Sequence, residues 1–261
     1  MKDPPPYGVL VAPSTIRSAG VLPIRSSIAC CGSIRSLASA SSILRQERVG
    51  PRVPSSSGGG TVIGADIAAD LVAAARERAK AEGLNIEYRV ADAEKLPFTD
   101  AEFDAVISTC GVMFASRPEA AAAEVARVTR RGGRVALTTW LPDSNLFKMF
   151  QVMKPYMPPP PNPAPPSPFE WGKAERVREL LGGSFDLRFE RGTSFYREAS
   201  GEAAWNTFSM SYGPTKALAG NLDEARRAEL RRDFIAFHDR FPTELGICVP
   251  REYLLTIGVR R

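Results

Sequence analysis

The sequence predicts an α/β fold in which a largely parallel sheet carries helices on both faces. Two features of residues 62–140 support this: short apolar segments alternate with segments of helical period, and the apolar segments end in Asp or Thr. Strands that alternate with helices across short loops usually pair in parallel through right-handed crossovers. The ends of such strands are where a ligand site is expected.

The predicted elements follow in chain order. A strand at 62–65 ends at Asp66, and a helix over 67–82 is closed by Gly83. The next strand, 86–91, ends at Asp92, and 103–109 is a nearly continuous apolar run, as in a strand covered on both faces. Farther along, the pattern predicts helices at 118–129, 173–181, 202–211 and 222–240, a turn at Gly132 and Gly133, and strands at 134–140, 185–190, 193–198 and 252–259.

The composition divides the chain at about residue 58. Residues 1–58 are rich in Ser, Pro and Arg, and we expect a tail that is disordered or foreign to the domain. A transit peptide and a folded segment are the alternatives. Residues 59–261 form the predicted domain, and within it residues 154–168 form a proline-rich, extended connection.

Charge and cysteine usage exclude several classes of function. The net charge of +5 arises largely in the first sixty residues, and no helix carries a one-sided basic stripe, so we expect no nucleic-acid partner. No apolar run approaches the roughly 20 residues that span a bilayer, so we expect no membrane partner. With one histidine and no C-x-x-C pair, no metal site is expected, and reduced thiols suit a cytoplasmic protein. The cysteines are Cys30, Cys31, Cys110 and Cys248.

Two acidic residues follow neighbouring strands of the predicted sheet. Asp66 could accept both hydroxyl hydrogens of a ribose, or it could cap the helix that follows. Asp92 follows the next strand and precedes the small residue Ala93, which leaves room for a base ring. Together the two acids favour a nucleoside site.

Four segments, in this order, resemble the class I S-adenosylmethionine-dependent methyltransferases that act on small molecules. They are VIGADIAADLVAAARERA, YRVADAEKLPF, FDAVISTCGVMF and VTRRGGRVALTTW. Within that family they are similar to the ubiquinone/menaquinone methyltransferase branch, and the resemblance covers residues 60–261. It implies a Rossmann-like sheet, S-adenosyl-L-methionine as cofactor and methyl transfer to a small-molecule acceptor.

The resemblance also implies roles for individual residues. Asp66 would bind the ribose hydroxyls and Ile67 would lie against the adenine. Asp92 and Ala93 would hold the adenine edge, and Thr109 would lie near the methionine moiety. It identifies no catalytic residue, and neither the acceptor nor the oligomeric state follows from the sequence.

The chain departs from the family pattern before Asp66. The family has a central strand there that ends in a GxGxG turn, whereas the nearest approximation here, residues 27–33, offers only Gly32 and precedes a helix-like segment at 34–46. We therefore expect the first strand and the glycine-rich loop to be missing or replaced, and a sheet without a central strand would leave unpaired edges. An upstream frameshift is one explanation.

The departure leaves three functions open. They are a methyltransferase, active or impaired, a catalytically inactive methyltransferase-derived binding protein, and an NAD(P)-dependent oxidoreductase, because an acid after the second strand also serves NAD.

Several other residues have two interpretations. His238 is expected on a helix surface, with general base as the alternative. The aromatic residues of the second half could pack in the core or line an acceptor pocket. They are Trp140, Trp171, Trp205, Phe208 and Tyr212.

Overall fold

The computed structural model describes the backbone of residues 42–46 together with residues 61–261. Within that part of the chain, eight strands form one sheet in the order β3-β2-β1-β4-β5-β8-β6, with β7 paired to β8. The strands are β1 (Ser42–Gln46), β2 (Thr61–Asp66), β3 (Ile86–Val90), β4 (Phe103–Thr109), β5 (Thr129–Trp140), β6 (Phe185–Glu198), β7 (Pro242–Thr243) and β8 (Gly246–Arg260).

Seven α-helices of the described residues flank this sheet. They are α1 (Ala69–Ala81), α2 (Pro118–Val128), α3 (Asn145–Met153), α4 (Ala174–Leu181), α5 (Gly201–Ser211), α6 (Gly213–Asn221) and α7 (Glu224–His238). Helix α1 packs on β3 through Val72, Ala79 and Tyr88. Gly83 follows α1 with a φ of 66°, the left-handed conformation predicted for its end.

The central position of the sheet is occupied by another strand, so of the two expected alternatives, missing or replaced, the first strand is replaced. Strand β1 lies between β2 and β4 and runs antiparallel to both. The helix-like interpretation of residues 34–46 is therefore wrong for Ser42–Gln46, and the other residues of that segment lie outside the described part of the chain. Because β1 pairs on both sides, the facing edges of β2 and β4 are hydrogen-bonded, and the cost of unpaired backbone groups does not arise.

The parallel pairs are those that the alternation predicts. Strand β2 pairs in parallel with β3, and β4 pairs in parallel with β5. The β5 strand is longer than predicted, because Phe103 faces Thr129 whereas Ala105 faces Arg134, so residues 130–133 bulge from the ladder. Gly132, at a φ of 73°, lies within this bulge.

The second half adds an antiparallel ribbon to the sheet. The two strands predicted at 185–190 and 193–198 are one continuous strand, β6, which pairs with β8 from end to end. Helix α6 was not predicted, and β8 begins six residues earlier than expected. No helix of the described chain combines the length and hydropathy needed to cross a membrane.

Candidate nucleoside site

The loops that carry the two acidic residues begin side by side. Asp66 is in register with Val90 in the parallel β2–β3 pair. Ala91, which follows Val90 and begins the loop that carries Asp92, donates its amide hydrogen to the Asp66 carbonyl at 2.8 Å. The predicted adjacency of Asp66 and Asp92 is therefore present, at the carboxyl edge where parallel strands present ligand sites.

The Asp66 side chain shapes the turn that precedes α1. It is buried, and its Oδ1 accepts the amide hydrogen of Ala68 at 2.7 Å. Ala68 is itself the N-cap residue, so Asp66 is not the cap of this helix but orders the residue before it. A carboxylate has two oxygens and several lone pairs, so this bond is compatible with ligand binding by the same group.

Two apolar side chains are exposed beside this carboxylate. Ile67 is 47% exposed and Val90 is 52% exposed. Both lie at the carboxyl ends of neighbouring strands, where an aliphatic side chain gains by being covered. A flat base ring placed against Ile67 would remove this surface from water.

The Asp92 loop is held by its own turn. The Oδ1 atom of Asp92 accepts the Glu94 amide at 2.8 Å, and the Asp92 carbonyl accepts the Lys95 amide at 3.0 Å. The side chain is exposed and Ala93 is partly exposed beside it. The loop therefore presents the carboxylate to solvent in a defined turn.

Helix α2 fixes the far end of the same loop. Arg127 donates to the carbonyls of Phe98 at 2.7 Å and Leu96 at 3.0 Å, and Glu124 accepts the Leu96 amide at 2.7 Å. Arg127 and Glu124 also pair at 2.6 Å. Hydrogen bonding to Arg127 lowers the pKa of Glu124, and hydrogen bonding to Glu124 raises that of Arg127. These partly buried ionic bonds position the loop that carries Asp92.

Thr109 ends β4 at the same edge of the sheet. Its hydroxyl is buried and has no hydrogen-bond partner among the described residues. The next residue, Cys110, has a φ of 58° and donates its amide to Thr138 on β5 at 2.8 Å. A buried hydroxyl without a partner among the described residues is costly, and its hydrogen-bonding capacity is unused within that part of the chain.

The direction of β1 distinguishes this edge from the family pattern. Ser42 pairs with Ala65 and Ser108, near Asp66 and Thr109, whereas Gln46 pairs with Thr61 at the opposite edge. The N-terminal end of β1 therefore lies beside the candidate site, and its C-terminal end lies at the opposite edge. The replacement strand fills the position of the family's first strand but not its direction.

These residues fit the nucleoside half of S-adenosylmethionine. Asp66 and Asp92 supply two acceptors at adjacent strand ends, and Ile67 supplies an uncovered apolar surface. Gly32, the nearest approximation to the family's glycine turn, lies outside the described residues.

His238 is not on the surface, which corrects the preferred interpretation of this residue. It has no solvent exposure, and Nδ1 donates to the Phe234 carbonyl at 2.8 Å. Burial lowers the pKa of His238 to about 4, so the ring is neutral at pH 7 and Nε2 carries a lone pair. The apolar spacing on α7 was recognised in the sequence, but the packing of Phe208 and Tyr196 against the histidine was not.

The aromatic residues of the second half are mostly core. Trp140, Trp171, Trp205 and Phe208 are all buried, and Tyr212 packs against them with part of its surface exposed. This agrees with core packing, the preferred interpretation. Sequence reasoning overlooked Arg251, which lies among these rings although strand alternation in 247–251 could have placed it on the buried face.

Comparisons with known proteins bear on the family of the chain. A family model described as a methyltransferase domain matches residues 52–137. An uncharacterized protein of Mycobacterium tuberculosis is 36% identical over 213 residues, which cover 80% of this chain and 77% of that protein. A demethylmenaquinone methyltransferase from Thermus thermophilus is 40% identical over 84 residues, which are 32% of this chain and 38% of that one.

A solved structure also aligns with the chain. It is a putative methyltransferase from Bacillus halodurans, with a TM-score of 0.48 and 20% identity over 76% of this chain and 81% of that chain. From the matching domain and the extended sequence relative, the chain belongs to the class I S-adenosylmethionine-dependent methyltransferases.

Proposed function

We propose that the protein transfers a methyl group from S-adenosyl-L-methionine to a small molecule. The observation that carries the proposal is the contact between the Ala91 amide and the Asp66 carbonyl. This contact brings the loops of Asp66 and Asp92 to one edge of the sheet, where the two carboxylates suit the ribose and the adenine of one nucleoside.

Each residue has one task in this proposal. Asp66 accepts the ribose hydroxyls, and Ile67 covers one face of the adenine. Asp92 already uses Oδ1 for the Glu94 amide, so Oδ2 accepts the adenine amino group beside the small Ala93. The Thr109 hydroxyl bonds the methionine end of the cofactor.

The cofactor supplies an electrophilic sulfonium methyl group, and the protein's residues supply position and exclusion of water. A methyl transfer of this type gains most of its rate from alignment in a dry site. The partly buried bonds of Arg127 keep the Asp92 loop in place, and the ordered turn at Asp66 limits the freedom of the ribose contact.

One observation favours a second function, that of an inactive, methyltransferase-derived binding protein. Because β1 runs antiparallel to β2, its first residue rather than its last lies at the Asp66 edge, whereas the family pattern places the end of this strand and its glycine-rich turn there. In this alternative the nucleoside edge persists but the cofactor is held weakly or not at all.

Calorimetric titration of S-adenosylmethionine into the full chain separates these functions, with NAD as the control ligand. We expect saturable binding of the methyl donor and none of NAD. Asp66→Asn keeps an oxygen for the Ala68 amide but loses the charge, so affinity should fall roughly tenfold or more. Glu77→Gln, an exposed change on the adjoining helix α1, is the matched control and should bind as the wild type does.

Either of two results would reject the proposal. A folded wild-type protein that binds no methyl donor would support the inactive binding protein. Tighter binding of NAD than of the methyl donor would revive the oxidoreductase.

A further inference from the structure

The ribbon formed by β6 and β8 extends beyond the carboxyl edge of the sheet. Tyr253 pairs with Trp140, the last residue of β5, so β8 residues 246–252 have only β6 and β7 as strand neighbours in the described chain. Aromatic residues of helices α5 and α7, Phe208 and His238, cover one face of this extension.

Arg251 is buried in that extension without an acidic partner among the described residues. It is 4% exposed, Nη2 has no hydrogen-bond partner, and no Asp or Glu of the described chain forms an ion pair with it. Its guanidinium carbon lies 4.4 Å from the ring centre of Tyr196 and 5.4 Å from that of Phe208. A guanidinium stays charged in a protein, and rings compensate only part of the cost of burying it.

Two further polar groups lie beside Arg251. The Tyr196 hydroxyl is buried, and Glu198 and Thr207, which bond each other at 3.3 Å, lie near it. The Nε2 atom of His238 is likewise buried, and it is unpaired among the described residues. The ring centres of Tyr196 and His238 lie 6.0 Å apart. The Arg251 guanidinium, the Tyr196 hydroxyl and the lone pair on His238 Nε2 thus belong to one cluster of aromatic side chains.

This cluster and the candidate cofactor site share a face of the sheet. Leu255 pairs with Thr138, and Thr138 pairs with Thr109. Paired residues point to one face, as do residues two apart in a strand, so Arg251 and Thr109 lie on the same face. From about 3.4 Å per residue and about 4.8 Å between strands, their Cα atoms are roughly 17 Å apart. A small acceptor and the methionine end of a cofactor can together bridge that distance.

We propose that Arg251, Tyr196 and His238 bind the methyl acceptor, and that this acceptor is a small aromatic acid. Its carboxylate pairs with the Arg251 guanidinium, and its ring packs against Tyr196 and Phe208. The lone pair on His238 Nε2 accepts a hydrogen bond from a hydroxyl or amino group of the acid. The name acceptor rests on the proposed function, whereas the acid-binding site itself does not require a methyl donor.

The probes are three aromatic acids and their neutral amides: benzoate, salicylate and cinnamate against benzamide, salicylamide and cinnamamide. Binding to the full chain is measured by calorimetry and by the shift in melting temperature, with and without S-adenosylmethionine. We expect at least one acid to bind at least tenfold more tightly than its amide, because only the acid pairs with the guanidinium. Bound ligand should raise the melting temperature.

The decisive variant is Arg251→Met, which should weaken acid binding tenfold or more and leave the melting temperature equal or higher, because it removes an unpaired buried charge. Arg191→Met, which removes an exposed arginine paired with Asp143, is the matched control and should bind acids as the wild type does. If Arg251→Met does not fold, Arg251→Lys replaces it. That variant keeps the positive charge but lacks the planar guanidinium. Its affinity for the aromatic acids should therefore fall, whereas its affinity for the amides should stay unchanged.

Three results would overturn the proposal: no acid of the panel binds, the amides bind as tightly as the acids, or the Arg251 variants bind acids unchanged. A failure of the proposed function looks different. In that case the methyl donor does not bind, whereas the acids still bind in an Arg251-dependent way.

Discussion

The pH dependence of stability tests the buried state of His238 directly. We consider His238→Asn, which removes the titrating ring and keeps an N–H near the position from which Nδ1 donates to Phe234. Burial and the nearby charges of Arg251 and Arg240 lower the pKa of His238 from 6.5 to about 4, while the Phe234 carbonyl and Asp239 oppose that shift. The variant has no group with this behaviour.

The sign and size of the effect follow from proton linkage. Between pH 6.5 and about 4 the unfolded chain binds a proton at His238 that the folded chain does not. Stability from this residue is therefore present above pH 6.5 and is lost as the pH falls through that interval. Between about pH 7 and about pH 4.5, the wild type should lose on the order of 2 kcal/mol that the variant does not lose.

The assay is urea unfolding of both proteins at these two pH values, and the quantity compared is the change in free energy of unfolding with pH. Several carboxyl groups with lowered pKa values, among them Glu94, Glu124 and Asp233, also destabilise the fold on acidification. Their contribution is the same in both proteins and cancels in the difference. Any constant cost of the substitution cancels in the same way.

Equal losses in the two proteins would refute the reasoning. They would show that the His238 ring takes up its proton at an ordinary pKa in the folded protein, and hence that it is solvated there.

Two further substitutions test the contacts that hold the Asp92 loop and the close packing of Gly172. Arg127→Met should weaken binding of S-adenosylmethionine about tenfold by calorimetry, because it releases the Asp92 loop from helix α2. An affinity equal to the wild type would show that this loop holds its position without the arginine. Gly172→Ala should lower the free energy of unfolding by about 1–3 kcal/mol, since the added methyl meets the Trp140 carbonyl oxygen. Gly183→Ala, whose methyl meets no atom within 4 Å, is the control, and equal losses in both would contradict the packing argument.

The strand ends of the candidate site were predictable because their signals are local. The bounds predicted for β4 are those observed, and β2 differs by one residue at each end. A strand that ends at an acidic residue and is followed by a helix can be recognised from neighbouring residues alone, because both patterns are local. The register that joins Asp66 to the Asp92 loop then follows from parallel pairing.

Strand β1 was not predictable by the same reasoning. Its five residues, SILRQ, carry no alternation that separates a strand from the helix expected there. Its partners lie in β2 and β4, more than a dozen residues away in the chain, and both offered an unpaired edge. The requirement that buried backbone groups be hydrogen-bonded made these residues a strand.

The sequence by itself determined the class of fold, the methyltransferase resemblance and the pair of acidic residues that suit a nucleoside, because periodicity and strand-end chemistry act over short stretches. Only the tertiary structure decided the direction of the central strand, the burial of His238 and the set of side chains that surround Arg251. Each of these depends on which distant segment covers a residue, and the free energy of that contact is shared between segments rather than encoded in either one.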